Sequence, residues 1–289
     1  MRARDHVAVW AMRATARTVR YGEPLRFAGS DLPRPLRRRI DTRHGRVPVH
    51  VYAGRPGAGV LVHLHGGAFL MRRPQMDDWW CRYLVAETGV TVVNVDFDVA
   101  PRTSFPVAHE QCHDVAASLA LEHDRVGLSG FSSGGGLAAS VALQARDRRS
   151  FRPVLQVLGC PALDLAQEPQ DGDPGMISPA LRRMVRRVYF PDPLTRGSAY
   201  ASPVLADSLA GLPPAVVLTG QLDVLRDDGR RYADRLREAG VEVVYDETPH
   251  VDHYFLTEDP ARARRTMALV AGEVRRRLGA PPRSIATVS

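Results

Sequence analysis

The chain has 289 residues, 44% of them hydrophobic and 25% charged, which suits a globular protein built around one large core. Its 39 basic residues are all arginine and are interleaved with 32 acids, leaving a formal charge of +7; even the densest basic stretch, Arg34 to Arg46, reads as a solvated face, so no nucleic-acid partner is expected. Three widely separated cysteines, Cys81, Cys112 and Cys160, with no CxxC pair, argue against a disulfide framework or a cysteine zinc site, and no run of about 18 apolar residues predicts a membrane span.

The N-terminal stretch has too short and interrupted an apolar run for a signal-peptide core, and with reduced thiols a cytoplasmic protein is expected. From there, apolar runs bounded mostly by Gly or Pro predict strands at Val47–Ala53, Val60–Leu64, Val90–Phe97, Val126–Leu128, Val154–Leu158, Ala215–Leu218 and Val241–Tyr245. Helix-length segments fall among them at Met76–Thr88, Val107–Leu121, Gly134–Arg146, Asp228–Ala239 and Pro260–Leu278. Strand alternating with helix predicts a mainly parallel sheet. Residues 1 to about 45 and about 164 to 201 fall outside the rhythm. In the second stretch Ile177, Leu181, Met184, Val185, Val188 and Tyr189 share one helical face, and Arg182, Arg183, Arg186 and Arg187 the other. That pattern fits a plain surface helix or a lid over a pocket, and a long insertion favours the lid.

The glycine-rich stretch Leu128 to Gly136 follows a strand and opens a helix. A serine nucleophile on a sharp strand-to-helix turn needs small residues two before and two after it, the G-x-S-x-G pattern. Ser129 and Ser133 fail this test because Phe131 stands two positions away; Ser132 passes, between Gly130 and Gly134. A phosphate loop would need a lysine, which the chain lacks, and a dinucleotide fold would need an acid ending the next strand, which is not seen. A second glycine loop, His63 to Leu70, also follows a strand and can aim N–H groups at a developing oxyanion, together with the N–H of Ser133.

His65-Gly66-Gly67-Ala68-Phe69 resembles the HGGG[FW] signature of the hormone-sensitive-lipase-like branch of the α/β-hydrolases. Asp96 to Pro106 resembles that branch's DYRLAPExxFP segment, Ala201 to Gly229 its SPL…LPP…DPLRDEG stretch, and His253-Tyr254-Phe255 its final HGF. The match runs in order from about residue 45 to 260. Departures are Ala68 for the third glycine, Phe131 and Ser133 flanking the nucleophile, Arg102 for an acid and Tyr254 for a glycine. The resemblance implies an α/β-hydrolase fold over residues 46–289. Its sheet is eight-stranded, mainly parallel and flanked by helices, with a partly helical cap made from residues 1–45 and the 164–201 insertion. It also implies Gly66, Gly67, Ala68 and Ser133 as the oxyanion hole, and His65 as a brace for its loop. His63 with His65, or His109 with His113, could be read as metal ligands, but no third ligand accompanies either pair, and core histidines are the simpler reading.

A serine needs a base, and the base a carboxylate to orient it; in this fold the chain order is Ser, acid, His. The strand near Ala215 leads to Asp223, whereas Asp227 and Asp228 suit the first turn of the next helix. The H-x-F register selects His253 over His250, and Asp252 reads as a loop acid. The expectation is a serine carboxylesterase with Ser132, Asp223 and His253 as triad. It would act on small-molecule esters with short to medium acyl chains, the chain length being implied by the resemblance alone. No cofactor or metal is expected. Amidase or acyltransferase activity with the same triad, or a non-catalytic small-molecule receptor on the same fold, are the alternatives. The oligomeric state, a homodimer included, is left open.

Overall fold

A computed structural model describes residues 3–18, 22–173 and 175–280. The chain opens with helix α1 (Ala3–Thr18) and a hairpin of β1 (Leu36–Thr42) and β2 (Gly45–Tyr52). Then come β3 (Val60–Leu64), α2 (Asp78–Thr88), β4 (Thr91–Val95), α3 (Val107–Leu119), β5 (Val126–Phe131), α4 (Ser133–Arg148) and β6 (Leu155–Gly159). A long excursion carrying α5 (Pro179–Val188) precedes β7 (Ala215–Gly220), α6 (Arg226–Glu238), β8 (Val243–Thr248), the short α7 (Phe255–Glu258) and α8 (Pro260–Leu278).

The eight strands form one sheet in the order β1-β2-β4-β3-β5-β6-β7-β8. Strands β3 to β8 run parallel, while β2 pairs antiparallel with both β1 and β4. Side chains on a strand alternate between faces, so each central strand feeds two cores. Val60, Val62 and Leu64 of β3 pack with residues of α3, α4 and α6, whereas Leu61 packs with Trp80 of α2 and Val270 of α8. The runs expected as strands are all present. The expected boundary at residue 45 is corrected: Leu36–Thr42 belongs to the sheet as an edge strand. Its burial hides it from a hydrophobic reading, because Ile40 alone of its seven residues is buried. The arginines that fill it stay at the surface, Arg38 bridging to Glu122. Charged side chains suit a sheet edge that must not pair with another chain.

This arrangement fixes where chemistry can occur. In an open α/β sheet, ligands sit beyond the carboxyl ends of the strands. Here the loops after β3, β5, β6, β7 and β8 line two cavities at that rim, with α1 and α5 also lining them.

Candidate active site

The turn after β5 explains its own composition. Ser132 has φ 55 and ψ −121, a left-handed conformation unusual for any residue with a Cβ. The strand and helix cross so closely that a Cβ on Gly130 would lie 2.2 Å from the Gly134 carbonyl oxygen. One on Gly134 would lie 2.0 Å from the oxygen of Leu64. Both positions flanking the serine therefore demand glycine. The strained turn is held from two sides: the Ser132 N–H donates to Gly159 O (2.8 Å), and Ser132 O accepts from the N–H groups of Gly136 and Ala162 (both 3.1 Å). Ala68 and Phe69 (φ 54 and 57) and Cys160 (φ 42) share the same uncommon region, so four of the six positive-φ residues other than glycine among the described residues gather around this serine.

The loop after β3 turns back on itself, with Gly67 O accepting from both Leu70 N and Met71 N at 2.9 Å. Gly67 sits at φ 127, and a Cβ there would meet the Met71 oxygen at 2.8 Å. Gly66 passes directly over the elbow, where a Cβ would touch Phe131 O at 3.3 Å. Among the described residues, the N–H groups of Gly67, Ala68 and Ser133 have no hydrogen-bond partner. His65 is buried and stacks on Phe97, its ring centroid 4.4 Å away, while its Nδ1 lies 2.6 Å from Gly66 O. Burial pushes its pKa down, so it is a neutral ring that holds the loop. His63 is satisfied between Asp77 Oδ2 (2.9 Å) and Ser129 Oγ (3.1 Å). On α3, His109 meets the Tyr189 hydroxyl at 3.0 Å, and His113 meets Asp114 and Ser150. Burial lowers the pKa of His109 to about 3.

His253 Nδ1 lies 2.9 Å from Asp223 Oδ2, and the side chains are 5% and 0% exposed. The other carboxylate oxygen of Asp223 accepts from Leu225 N at 3.0 Å, which fixes its plane. His253 and Ser132 both line one cavity of about 430 Å³. Among the described residues no direct hydrogen bond joins Ser132 to His253; both stand on the wall that a substrate would complete. His250 is exposed, with its N–H on Gln221 Oε1, and Asp227 is exposed at the start of α6, paired with Arg226 and Arg230. Neither reaches the cluster.

Three further groups carry the site without a clear sequence signal. Asp228 is buried; its Oδ2 accepts from Leu163 N (2.9 Å) and Asp164 N (3.0 Å), and burial raises its pKa to about 7. Asp252, read from sequence as a loop acid, accepts from His253 N through Oδ1 (2.6 Å) and from Met176 N through Oδ2 (2.8 Å). Cys160 lines the cavity at the end of β6; its position at a strand's carboxyl end was the one signal that could have found it.

The roof comes from both stretches that broke the strand–helix rhythm. Met12 and Thr15 of α1, with Met176, Ile177 and Leu181 at α5, close the larger cavity. A second cavity of about 240 Å³ also borders Ser132 and is lined by Leu181 and Val185. The arginine face of α5 is partly covered. Arg186, 5% exposed, holds the carbonyls of Leu165, Ala166 and Gln167 and the Glu168 carboxylate, and Arg187 bridges to the buried Asp5 of α1. Arg13 of α1 donates to Leu70 O (2.8 Å) and Ala100 O (2.6 Å), tying α1 to the loop after β3.

Residues 61–257 match a family model described as the alpha/beta hydrolase fold. An arylesterase from Saccharolobus solfataricus is 32% identical over 220 residues, covering 68% of either chain. An ethyl acetate hydrolase from Pseudomonas putida is 30% identical over 237 residues, covering 75% of this chain and 74% of its own. The solved structure of an esterase from Pyrobaculum calidifontis superposes with a TM-score of 0.83 at 30% identity, over 94% of this chain and 92% of that one. No described helix is long and apolar enough to cross a membrane. The chain belongs to the α/β-hydrolase fold family, in its hormone-sensitive-lipase-like branch of carboxylic ester hydrolases.

Proposed function

We propose that this carboxylic ester hydrolase works through Ser132 as nucleophile, His253 as general base and acid, and Asp223 as the carboxylate that orients the ring. Ser132 Oγ attacks the ester carbonyl as His253 Nε2 takes its proton. The oxyanion is met by the N–H groups of Gly67, Ala68 and Ser133, and Gly66 gives the loop its close approach. The alcohol leaves with the proton from His253. Water, deprotonated by the same nitrogen, then releases the acid from the acyl-enzyme. Asp223 keeps Nδ1 protonated, so that Nε2 offers a lone pair to the serine.

The observation that carries the reading is the 2.9 Å contact between His253 Nδ1 and the buried Asp223 carboxylate, on the same cavity as a strained serine. Two bounded cavities, about 430 and about 240 Å³, meet at Ser132 and favour compact acyl and alcohol parts over long chains. A cap made of the segments around α1 and α5 fits the roof they form. The deciding experiment is intact-mass measurement after a fluorophosphonate probe, with peptide mapping. One adduct on Ser132, lost in Ser132→Ala, is expected; an adduct on Ser133 or Ser129 refutes the assignment. A series of p-nitrophenyl esters from acetate to palmitate should show activity falling beyond medium chains.

A further inference from the structure

Cys160, Asp223 and His253 each offer one metal-ligating atom, and these atoms all lie within 4.8 Å of one another. All three side chains are buried, yet Cys160 and His253 line the larger cavity, which gives the cluster a route from solvent. The other two thiols, Cys81 and Cys112, are buried in the cores on the two faces of the sheet. The donor set is a thiol, a carboxylate and an imidazole. Zinc and cadmium ions accept that combination readily, whereas magnesium and calcium ions prefer oxygen alone. We propose that Cys160, Asp223 and His253 form an inhibitory site for a thiophilic divalent cation, zinc or cadmium, that stops ester hydrolysis by occupying the base and its orienting carboxylate. The effect on turnover rests on the roles given above to His253 and Asp223; the binding does not.

Without a cation, burial and the neighbouring Asp223 carboxylate hold the Cys160 thiol protonated, so it does not compete with Ser132 as a nucleophile. On binding, the sulfur lone pair goes to the cation and the thiol proton leaves to solvent, one proton for each cation. His253 ligates through Nδ1; its single proton moves by way of water to Nε2, and the ring stays neutral. Nε2 then carries a hydrogen where the reaction needs a lone pair. No electron is transferred, and removing the cation restores the starting state. The cation is thus an inhibitor, and the hydrolysis itself calls for no metal.

The test uses the full chain freed of chelator, in a buffer that does not bind metal. Zinc should abolish p-nitrophenyl acetate hydrolysis at micromolar concentration, with full recovery on adding EDTA. Cadmium, added without substrate, should produce a thiolate charge-transfer band that saturates at one cation per chain. Cys160→Ser should lose that band and should require at least about tenfold more zinc for half-inhibition, each compared with its own metal-free rate. Ser132→Ala should keep the cadmium band, so binding is read even where the nucleophile is misassigned. Zinc sensitivity in Cys160→Ser equal to the parent's, or a cadmium band that survives there, overturns the proposal. Should Cys160→Ser fail to fold, His253→Ala takes its place. It should keep the band but need at least about tenfold more cadmium, and an unchanged affinity overturns the proposal equally.

Discussion

If His253 is the base proposed above, replacing Asp223 by asparagine keeps the size of the side chain and changes which ring nitrogen carries the proton. Both carboxylate oxygens are committed, one to His253 Nδ1 at 2.9 Å and the other to the Leu225 N–H at 3.0 Å. An asparagine has one oxygen for two donors. Its oxygen goes to the Leu225 N–H, which the backbone fixes, and its NH2 then faces Nδ1. The ring must offer a lone pair there and put its hydrogen on Nε2, so it cannot accept the proton of Ser132. The flipped amide keeps the active tautomer but sets two buried donors against each other, at about 1–3 kcal/mol. By itself that leaves an active fraction of about one in five to one in 140 at about 1.4 kcal/mol per decade. Loss of the negative charge beside the imidazolium adds to this, giving a fall of about 10³–10⁴ in kcat. The assay is kcat on p-nitrophenyl acetate for Asp223→Asn and Asp227→Asn side by side, each with a thermal melt to verify folding. Asp227 is exposed, pairs among the described residues with Arg226 and Arg230, and borders the smaller cavity away from His253, so its variant should stay within about threefold of parental turnover. An Asp223→Asn enzyme within tenfold of the parent, or an equal loss in Asp227→Asn, refutes the reasoning.

His253→Ala should lose turnover to the level of Ser132→Ala, while His250→Ala, which removes an exposed ring, should stay within about threefold of the parent in the same assay. Ser133→Ala keeps the backbone N–H and deletes a buried hydroxyl that has no partner, so it should retain activity and melt no lower than the parent. Gly134→Ala drives a methyl to within 2.0 Å of the Leu64 oxygen, backbone against backbone, and should cost at least about 3 kcal/mol in urea unfolding along with most of the activity. Asp228 carries a pKa raised to about 7, so the folded state binds more protons than the unfolded chain between the ordinary carboxylate range and about 7. Stability from this group is therefore full below that range and is lost as pH rises towards 7. Asp228→Asn, which keeps an acceptor for Leu163 N and Asp164 N, should gain stability over the parent progressively from pH 4 to 7 and by a constant amount above; a gain independent of pH would refute the assignment.

The order of strands and helices was legible because burial writes itself into composition: β3, β5, β6 and β7 are almost wholly buried and read as apolar runs. The edge strand β1 was not, since a strand with one buried residue leaves no such trace. The turn at Ser132 was legible because its geometry demands glycine at two fixed positions, and the place of Asp223 at the sheet's rim because it follows a buried strand. Asp252 was not, because its work is done through main-chain N–H groups of His253 and Met176, and a main-chain donor has no letter in the sequence. The roof was half legible. The apolar stripe of α5 announced a covering helix, but the burial of Arg186 against four successive residues, 165 to 168, depends on a coil whose shape composition does not encode.

Asp252 links two regions that sequence keeps 76 positions apart: it grips the amide of Met176 and that of its neighbour His253. Gly175, at φ 99, supplies the bend that lets the first amide arrive, and its missing side chain leaves room for the carboxylate. The anchor of the roof and the perch of the imidazole are thus one joint. Exchanging the roof for that of a relative, to change which esters are accepted, would succeed only where the donor segment brings a glycine and a free amide to the same spot; otherwise selectivity and turnover would be altered together.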